Sequence, residues 1–174
     1  DIKVINNITD TLRDDMASTI TKGSRVSIAA ACFSMYAYKE LKKQLESVEE
    51  CRFIFTSPTF IKEKAEKQKR EFYIPRLSRE NSLYGTEFEV KLRNEMNQKA
   101  IAKECADWIR RKVKFKSNAT VENMPGFITV TNGESDTAYM PVNSFTTVDL
   151  GCERGNNIFT AINRFGAPTA QAYI

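Results

Sequence analysis

The sequence predicts an α/β fold, a three-layer α/β/α sandwich built on a mixed β-sheet, with residues 1–174 forming a single domain. Three observations carry this. Residues 25–57 read as strand, helix, strand, the pattern of a βαβ unit with a parallel pair and a right-handed crossover. Residues 126–141 read as two strands joined at Asn132-Gly133, a hairpin signal that implies antiparallel pairing. Apolar stripes at helical spacing lie on either side of these segments, so helices are expected to cover the sheet.

In chain order, Ile8, Leu12, Met16 and Ile20 recur every four positions and predict a helix near 7–22, with Asn6, Asn7 or Thr9 as its cap and Gly23 as its stop. Residues 26–33 form a nearly continuous apolar run, the mark of a strand buried on both faces. Tyr38, Leu41 and Leu45 give the buried stripe of a helix near 36–47. Arg52-Phe53-Ile54-Phe55-Thr56 predicts a second buried strand near 52–57, closed by Ser57-Pro58. Residues 61–82 are densely and alternately charged, as a solvated helix face with i,i+4 pairs would be; a nucleic-acid or partner surface is the alternative reading. The longest helical stripe, Phe88, Leu92, Met96, Ile101, Cys105, Trp108 and Ile109, predicts a helix near 87–112 with a break near Asn97. It ends on Arg110-Arg111-Lys112, cations suited to a helix C-terminus.

A strand over 113–117 follows, on which Lys114 and Lys116 share one face because the side-chain period is two. Ser117, Asn118 and Thr120 lead into the hairpin, whose strands are expected at 126–131 and 136–141. Asn132 and Gly133 would both take φ > 0 in a type I′ turn, and Pro141 would end the return strand or place it on an edge. The polar run Asn143-Ser144-Phe145-Thr146-Thr147 comes next, then a last strand near 158–163 and a helix started by Pro168.

The hairpin and its polar run carry a resemblance. Residues 124–151 are laid out like the second half of a phospholipase D-like motif, in which a strand bears His-x-Lys, an Asp follows, and a small-residue loop ending in Phe-Thr comes after the next strand. Here Pro125 stands at the His position, Phe127 at the Lys position and Asn132 at the Asp position, while Pro-Val-Asn-Ser-Phe-Thr replaces the loop. The match is strongest at Phe145-Thr146-Thr147-Val148-Asp149-Leu150-Gly151, at Gly85-Thr86-Glu87-Phe88-Glu89 and at residues 108–118. The chain resembles the phospholipase D-like half fused in front of large bacterial Snf-type or DEAD/DEAH-box helicases. The resemblance implies a catalytically inactive accessory domain, carried at the N-terminus of a much longer ATP-dependent helicase. ATP and magnesium would then belong to helicase domains downstream, since these residues hold no Gly-x-x-x-x-Gly-Lys-Thr phosphate loop.

Composition narrows the chemistry. There is no histidine, which removes Ser-His-Asp and Cys-His relays and the histidine nucleophile of phospholipase D from these residues. Cys32, Cys51, Cys105 and Cys152 are far apart in sequence, so no metal site is expected, and their isolation suits a reducing, cytoplasmic setting. No run is long enough to span a membrane. The net charge of +4 admits an anionic partner without demanding one.

The expected function is therefore non-catalytic, with nucleic acid held by its phosphates. Candidate contacts are the basic segment Arg110, Arg111, Lys112, Lys114 and Lys116, the neighbouring Ser117 and Asn118, and the motif loop residues Asn143, Ser144, Thr146 and Thr147. A protein-interaction module, including a homodimer, is the alternative. A nuclease with a displaced active site is the third reading, with Glu87, Glu89, Asp136 and Asp149 as its acidic candidates.

Overall fold

The structure is a computed structural model that describes residues 2–56, 95–120, 122–153 and 160–174. Among these, seven strands form one sheet: β1 (Ile2–Ile5), β2 (Arg25–Ala30), β3 (Glu50–Phe55), β4 (Val113–Ser117), β5 (Phe127–Thr131), β6 (Asp136–Met140) and β7 (Ile162–Phe165). Their order is β1-β7-β6-β5-β2-β3-β4. β2, β3 and β4 run parallel, and every other pairing is antiparallel, so the sheet is mixed as expected. The helices are α1 (Leu12–Thr19), α2 (Met35–Glu40), α3 (Lys42–Ser47), α4 (Glu95–Lys112) and α5 (Thr169–Tyr173).

Register decides which side chains share a face. Ile28 lies opposite both Phe53 and Ile128, Phe53 opposite Phe115, and Ile128 opposite Tyr139. With the two-residue period, Val26, Ile28, Ala30, Cys51, Phe53, Phe55, Phe115, Ile128, Val130 and Tyr139 point to one side. All but the half-buried Phe115 are buried there, in one apolar cluster with Leu12 and Met16 of α1, Tyr38 of α2, Leu45 of α3 and Trp108 of α4. Phe33 ties the layers together, 5.4 Å from Phe53 edge-on, 6.4 Å from a stacked Trp108 and 5.5 Å from Phe145. The Trp108 indole donates to the Leu45 carbonyl at 2.8 Å, so the ring's one polar atom is satisfied inside the core.

The three layers are unequal. α1 to α4 all cover this helix face. Among the described residues only α5 lies on the second face, with Tyr173 edge-on to Phe127 at 5.3 Å and Gln171 donating to Asp136 at 3.1 Å. The expected helices near 7–22, 36–47 and 87–112 are thus not shared between the two faces.

Several boundaries shift for physical reasons. β1 was not expected, and α1 begins at Leu12, because Asn6 folds a local turn instead: its side-chain oxygen accepts from Ile8 N at 2.8 Å and Thr9 N at 2.9 Å. Thr11 is the cap, accepting from Asp14 N at 3.1 Å, so Ile8 leaves the apolar stripe and stands 72% exposed. The helix expected at 36–47 divides at Leu41 (φ −118°, ψ 19°) into α2 and α3. α4 runs without a break through Asn97; its expected start at 87, with Phe88 and Leu92, falls outside the described residues, as do the charged stretch 61–82 and Ser57-Pro58. The last strand lies at Ile162–Phe165, its register fixed by β1 on one side and β6 on the other.

At the hairpin, Asn132 and Ser135 face each other, Asn132 N donating to Ser135 O at 3.2 Å, and Gly133 takes φ +86° at the first central position. That is the II′ requirement rather than the expected I′. Asn132 avoids positive φ and spends its side-chain oxygen on Ser135 N at 3.0 Å and Glu134 N at 3.3 Å.

Candidate nucleic-acid interface

The motif edge is where the C-terminal end of β2, the start of β5 and the end of β6 converge. Residues 142–146 pass beside residues 31–34: Ala31 N donates to Asn143 O at 2.8 Å, Phe145 N to Cys32 O at 2.9 Å, and Ser34 N to Phe145 O at 2.9 Å. Phe145 is fully buried by this pairing, which fixes the loop's place. A Cβ added at Gly126 would stand 1.8 Å from the Val142 carbonyl oxygen, so main chain fills the space between the motif positions Pro125 and Phe127. Phe127 itself is packed on Tyr173.

The loop's two threonine hydroxyls are engaged. Thr146 Oγ1 donates to Asp149 at 2.6 Å and accepts from Asp149 N at 3.2 Å, while Thr147 donates to Glu153. Asn7, at φ +58°, binds the same loop from α1's side, donating to Asp149 O at 3.0 Å and accepting from Leu12 N at 2.8 Å. Thr146 and Thr147 are buried, Ser144 is half-buried and Asn143 is exposed, so only the last two stand where a ligand could reach them without rearrangement.

The basic segment 110–116 is split between two sides of the sheet. Arg110 pairs with Asp107 at 2.8 Å and Arg111 with Glu46 at 2.7 Å, both on the helix layer. Lys112 Nζ donates to Glu46 O at 2.9 Å and Val48 O at 2.6 Å, closing the carbonyl end of α3. Ser117 lies opposite Phe55 and therefore faces the helices, away from Lys114 and Lys116. The Asn118 amide donates to Thr56 O at 3.1 Å and Glu122 O at 2.9 Å and accepts from Thr120, which spends it on holding the turn after β4.

Lys114 and Lys116 do share a face, the second one, and there they meet residues that sequence reasoning passed over. Lys114 lies opposite Arg52, and Arg52 opposite Ser27, whose hydroxyl accepts from Arg52 Nε at 3.2 Å. Arg25 stands on the same face, held by Glu49 at 3.0 Å. Reading 26–33 and 52–57 as strands buried on both sides hid these positions. The signal was the polar residue at every second place in Arg25-x-Ser27 and in Lys114-x-Lys116, with Arg52 on the strand between them.

A second polar constellation lies under α1. Asp15, 8% exposed, accepts from Tyr139 at 2.7 Å and from Lys3 at 2.9 Å. Arg164 Nε is 3.2 Å from the same carboxylate, an ion pair by distance whose angle makes no hydrogen bond. Burial raises the Asp15 pKa, but the Tyr139 and Lys3 hydrogen bonds and the Arg164 and Lys3 charges outweigh it and hold the group below its ordinary value. The thiols are the opposite case. Burial pushes Cys51 up to about 12 and Cys105 well above its ordinary value, so neither offers a thiolate at neutral pH.

Among the described residues no three Asp, Glu or Cys side chains are placed to hold a metal ion. Asp136 and Asp149 are bound to Gln171 and Thr146, and Glu87 and Glu89 fall outside the described residues. No described helix is long and apolar enough to cross a membrane.

No family model and no curated protein matches the chain. Solved structures similar to it include those of yeast tyrosyl-DNA phosphodiesterase. One matches with TM-score 0.45 and 13% identity over 97% of this chain and 32% of that one. The H432R mutant of yeast tyrosyl-DNA phosphodiesterase 1 matches with TM-score 0.45 and 12% identity, with the same coverage. The H182A mutant matches with TM-score 0.43 and 12% identity over 95% and 32%. The chain spans about a third of the length of the structures it matches.

Proposed function

We propose that this chain is a catalytically silent phospholipase D-like module that associates with nucleic acid through phosphate contacts. The observation that carries this reading is what stands at the motif positions. Pro125 has no reactive group, Phe127 is packed on Tyr173, and the Val142 carbonyl fills the space at Gly126. No histidine elsewhere in these residues can serve as the nucleophile. What remains is a basic chain, net +4, whose exposed cations suit a phosphate backbone and whose motif loop keeps Asn143 and Ser144 accessible. The same reading makes the chain an accessory domain working in cis with an ATP-dependent helicase in the cytoplasm.

The test combines turnover and binding. Purified chain should leave a generic phosphodiester intact, with and without added divalent metal. It should bind mixed-sequence nucleic acid at low salt and release it as salt rises. Phosphodiester turnover that survives in chelator contradicts the silent motif, and absence of any binding at low salt removes the nucleic-acid role.

A second reading, self-association or another protein contact, is favoured by one observation. Ile2 and Val4 on the edge strand β1 are 65% and 58% exposed, and Ile8 in the following turn is 72% exposed.

A further inference from the structure

We propose that the second face of β2, β3 and β4, centred on Arg52, Lys114 and Lys116, is the surface on which a nucleic-acid duplex backbone docks. This rests on the nucleic-acid reading above and moves its site away from both the motif edge and the Arg110–Lys112 turn.

The argument begins with placement. Neighbouring strands lie about 4.8 Å apart and same-face residues on one strand about 6.7 Å apart. Arg52 and Lys114 are register partners on adjacent strands, and Lys116 is the next same-face residue along β4. Three cations from two distant parts of the sequence therefore occupy one small triangle. All three side chains are exposed, Lys114 to 77%. Among the described residues neither Arg52 nor Lys116 has an ion-pair partner. Arg52 donates its Nε to the Ser27 hydroxyl, which holds the guanidinium on this face. Lys114 is shared with Glu50 at 3.1 Å and Arg25 with Glu49 and Glu50, so the net attraction is moderate. An exposed lysine pair of this kind costs little to break.

The shape selects the ligand class. Exposed side chains standing on a sheet face do not envelop a small anion, and these cations gain most from a ligand that presents many charges at once. A duplex does so, with one charge per roughly 1.7 Å of axis. A single strand is the poorer fit. Proteins that hold single strands stack bases on aromatic rings. The second face of these three strands offers Arg25, Ser27, Ala29, Glu50, Arg52, Ile54, Lys114 and Lys116, with no ring among them. The aromatic residues of the same strands, Phe53, Phe55 and Phe115, all point to the helices. Without base-reading geometry the contact is indifferent to sequence.

The experiment measures affinity of the 174-residue chain for a short mixed-sequence duplex across a salt series. It compares wild type, the triple variant Arg52→Gln/Lys114→Gln/Lys116→Gln, and the pair Arg110→Gln/Arg111→Gln as a control on the helix side. Each phosphate contact removed should flatten the plot of log affinity against log salt by about one, so the triple variant should lose a slope of about three and about tenfold or more in affinity at low salt. The control should match wild type. Far-UV circular dichroism confirms that all three proteins fold. Lysine acetylation of wild type gives a readout without mutation: duplex should protect Lys114 and Lys116 and leave Lys39 and Lys103 reactive. If wild type binds duplex and the triple variant keeps its slope, or the control pair loses as much, the surface is wrong while the nucleic-acid role stands. If wild type prefers single strand, or binds anionic lipid vesicles and not duplex, the surface is not a duplex site. Absence of binding to any nucleic acid ends both readings.

Discussion

Asp15 shows how one carboxylate can hold four elements together. It sits on α1 and reaches Tyr139 on β6, Arg164 on β7 and Lys3 on β1. Its pKa is held below the ordinary carboxylate value, so the folded state prefers it ionised. For a depressed carboxylate the stabilisation is present above the unfolded pKa and is lost as pH falls through the folded one. Wild type should therefore exceed Asp15→Asn in stability at neutral pH, and the gap should close as pH falls below about 4. Asp15→Ala also strips the buried Tyr139 hydroxyl of its main acceptor, a loss of about 1–3 kcal/mol. Urea titrations of the three proteins at neutral and acid pH check both; a gap that is constant with pH would refute the charged network. Nothing in the sequence points to Asp15. It is one polar residue beside an apolar stripe, and its partners lie 12, 124 and 149 positions away. Lys114 and Lys116 were legible because alternation alone sets their common face, and that argument needs no partner.

At the scale of elements, local signals read well and long-range ones poorly. The βαβ unit, the strand over 113–117 and the strand pair around Gly133 were visible because each is defined by its own periodicity and turn residues. β1 was not, since Ile2-Lys3-Val4-Ile5 gains its meaning only from β7, about 160 residues on. The same blindness placed Ile8 in a helix. The candidate site suffered likewise: Arg110 to Lys116 read as one basic run, yet the change from helix to strand at Val113 turns its halves to opposite sides of the sheet. The edge strand β1 carries its own prediction. If Ile2 and Val4 form a contact between copies, concentrated wild type should sediment above the monomer mass, and Ile2→Lys/Val4→Lys should return it to monomer, since charge on an edge opposes pairing. Monomeric wild type at every concentration would dispose of the idea.

At the scale of the whole molecule, one apolar cluster among the described residues runs from Ile5 through Trp108 to Ile162, joining the parallel and antiparallel parts of the sheet. A single core of this kind unfolds as a unit. The one tryptophan reports on α4 and its packing, while far-UV circular dichroism reports on every element. The two probes should give the same urea midpoint. A tryptophan transition that precedes the dichroism change would show that the helix layer separates from the sheet. The sequence could foresee that a core exists, since its stripes and buried runs are explicit. It could not foresee that four helices share one face, because an amphipathic stripe says that a helix packs and not on which side of a sheet.

The crossing of main chains at Gly126 and the seat of Phe127 on Tyr173 bear on ancestry. If this fold descends from a catalyst, the descent does not reverse in single steps. Histidine at position 125 would gain nothing while position 127 stays aromatic, and lysine at 127 would undo the docking of α5 before any chemistry was gained. The Phe127–Tyr173 contact would be lost with that lysine, and α5 would be left with its Gln171–Asp136 bond to β6.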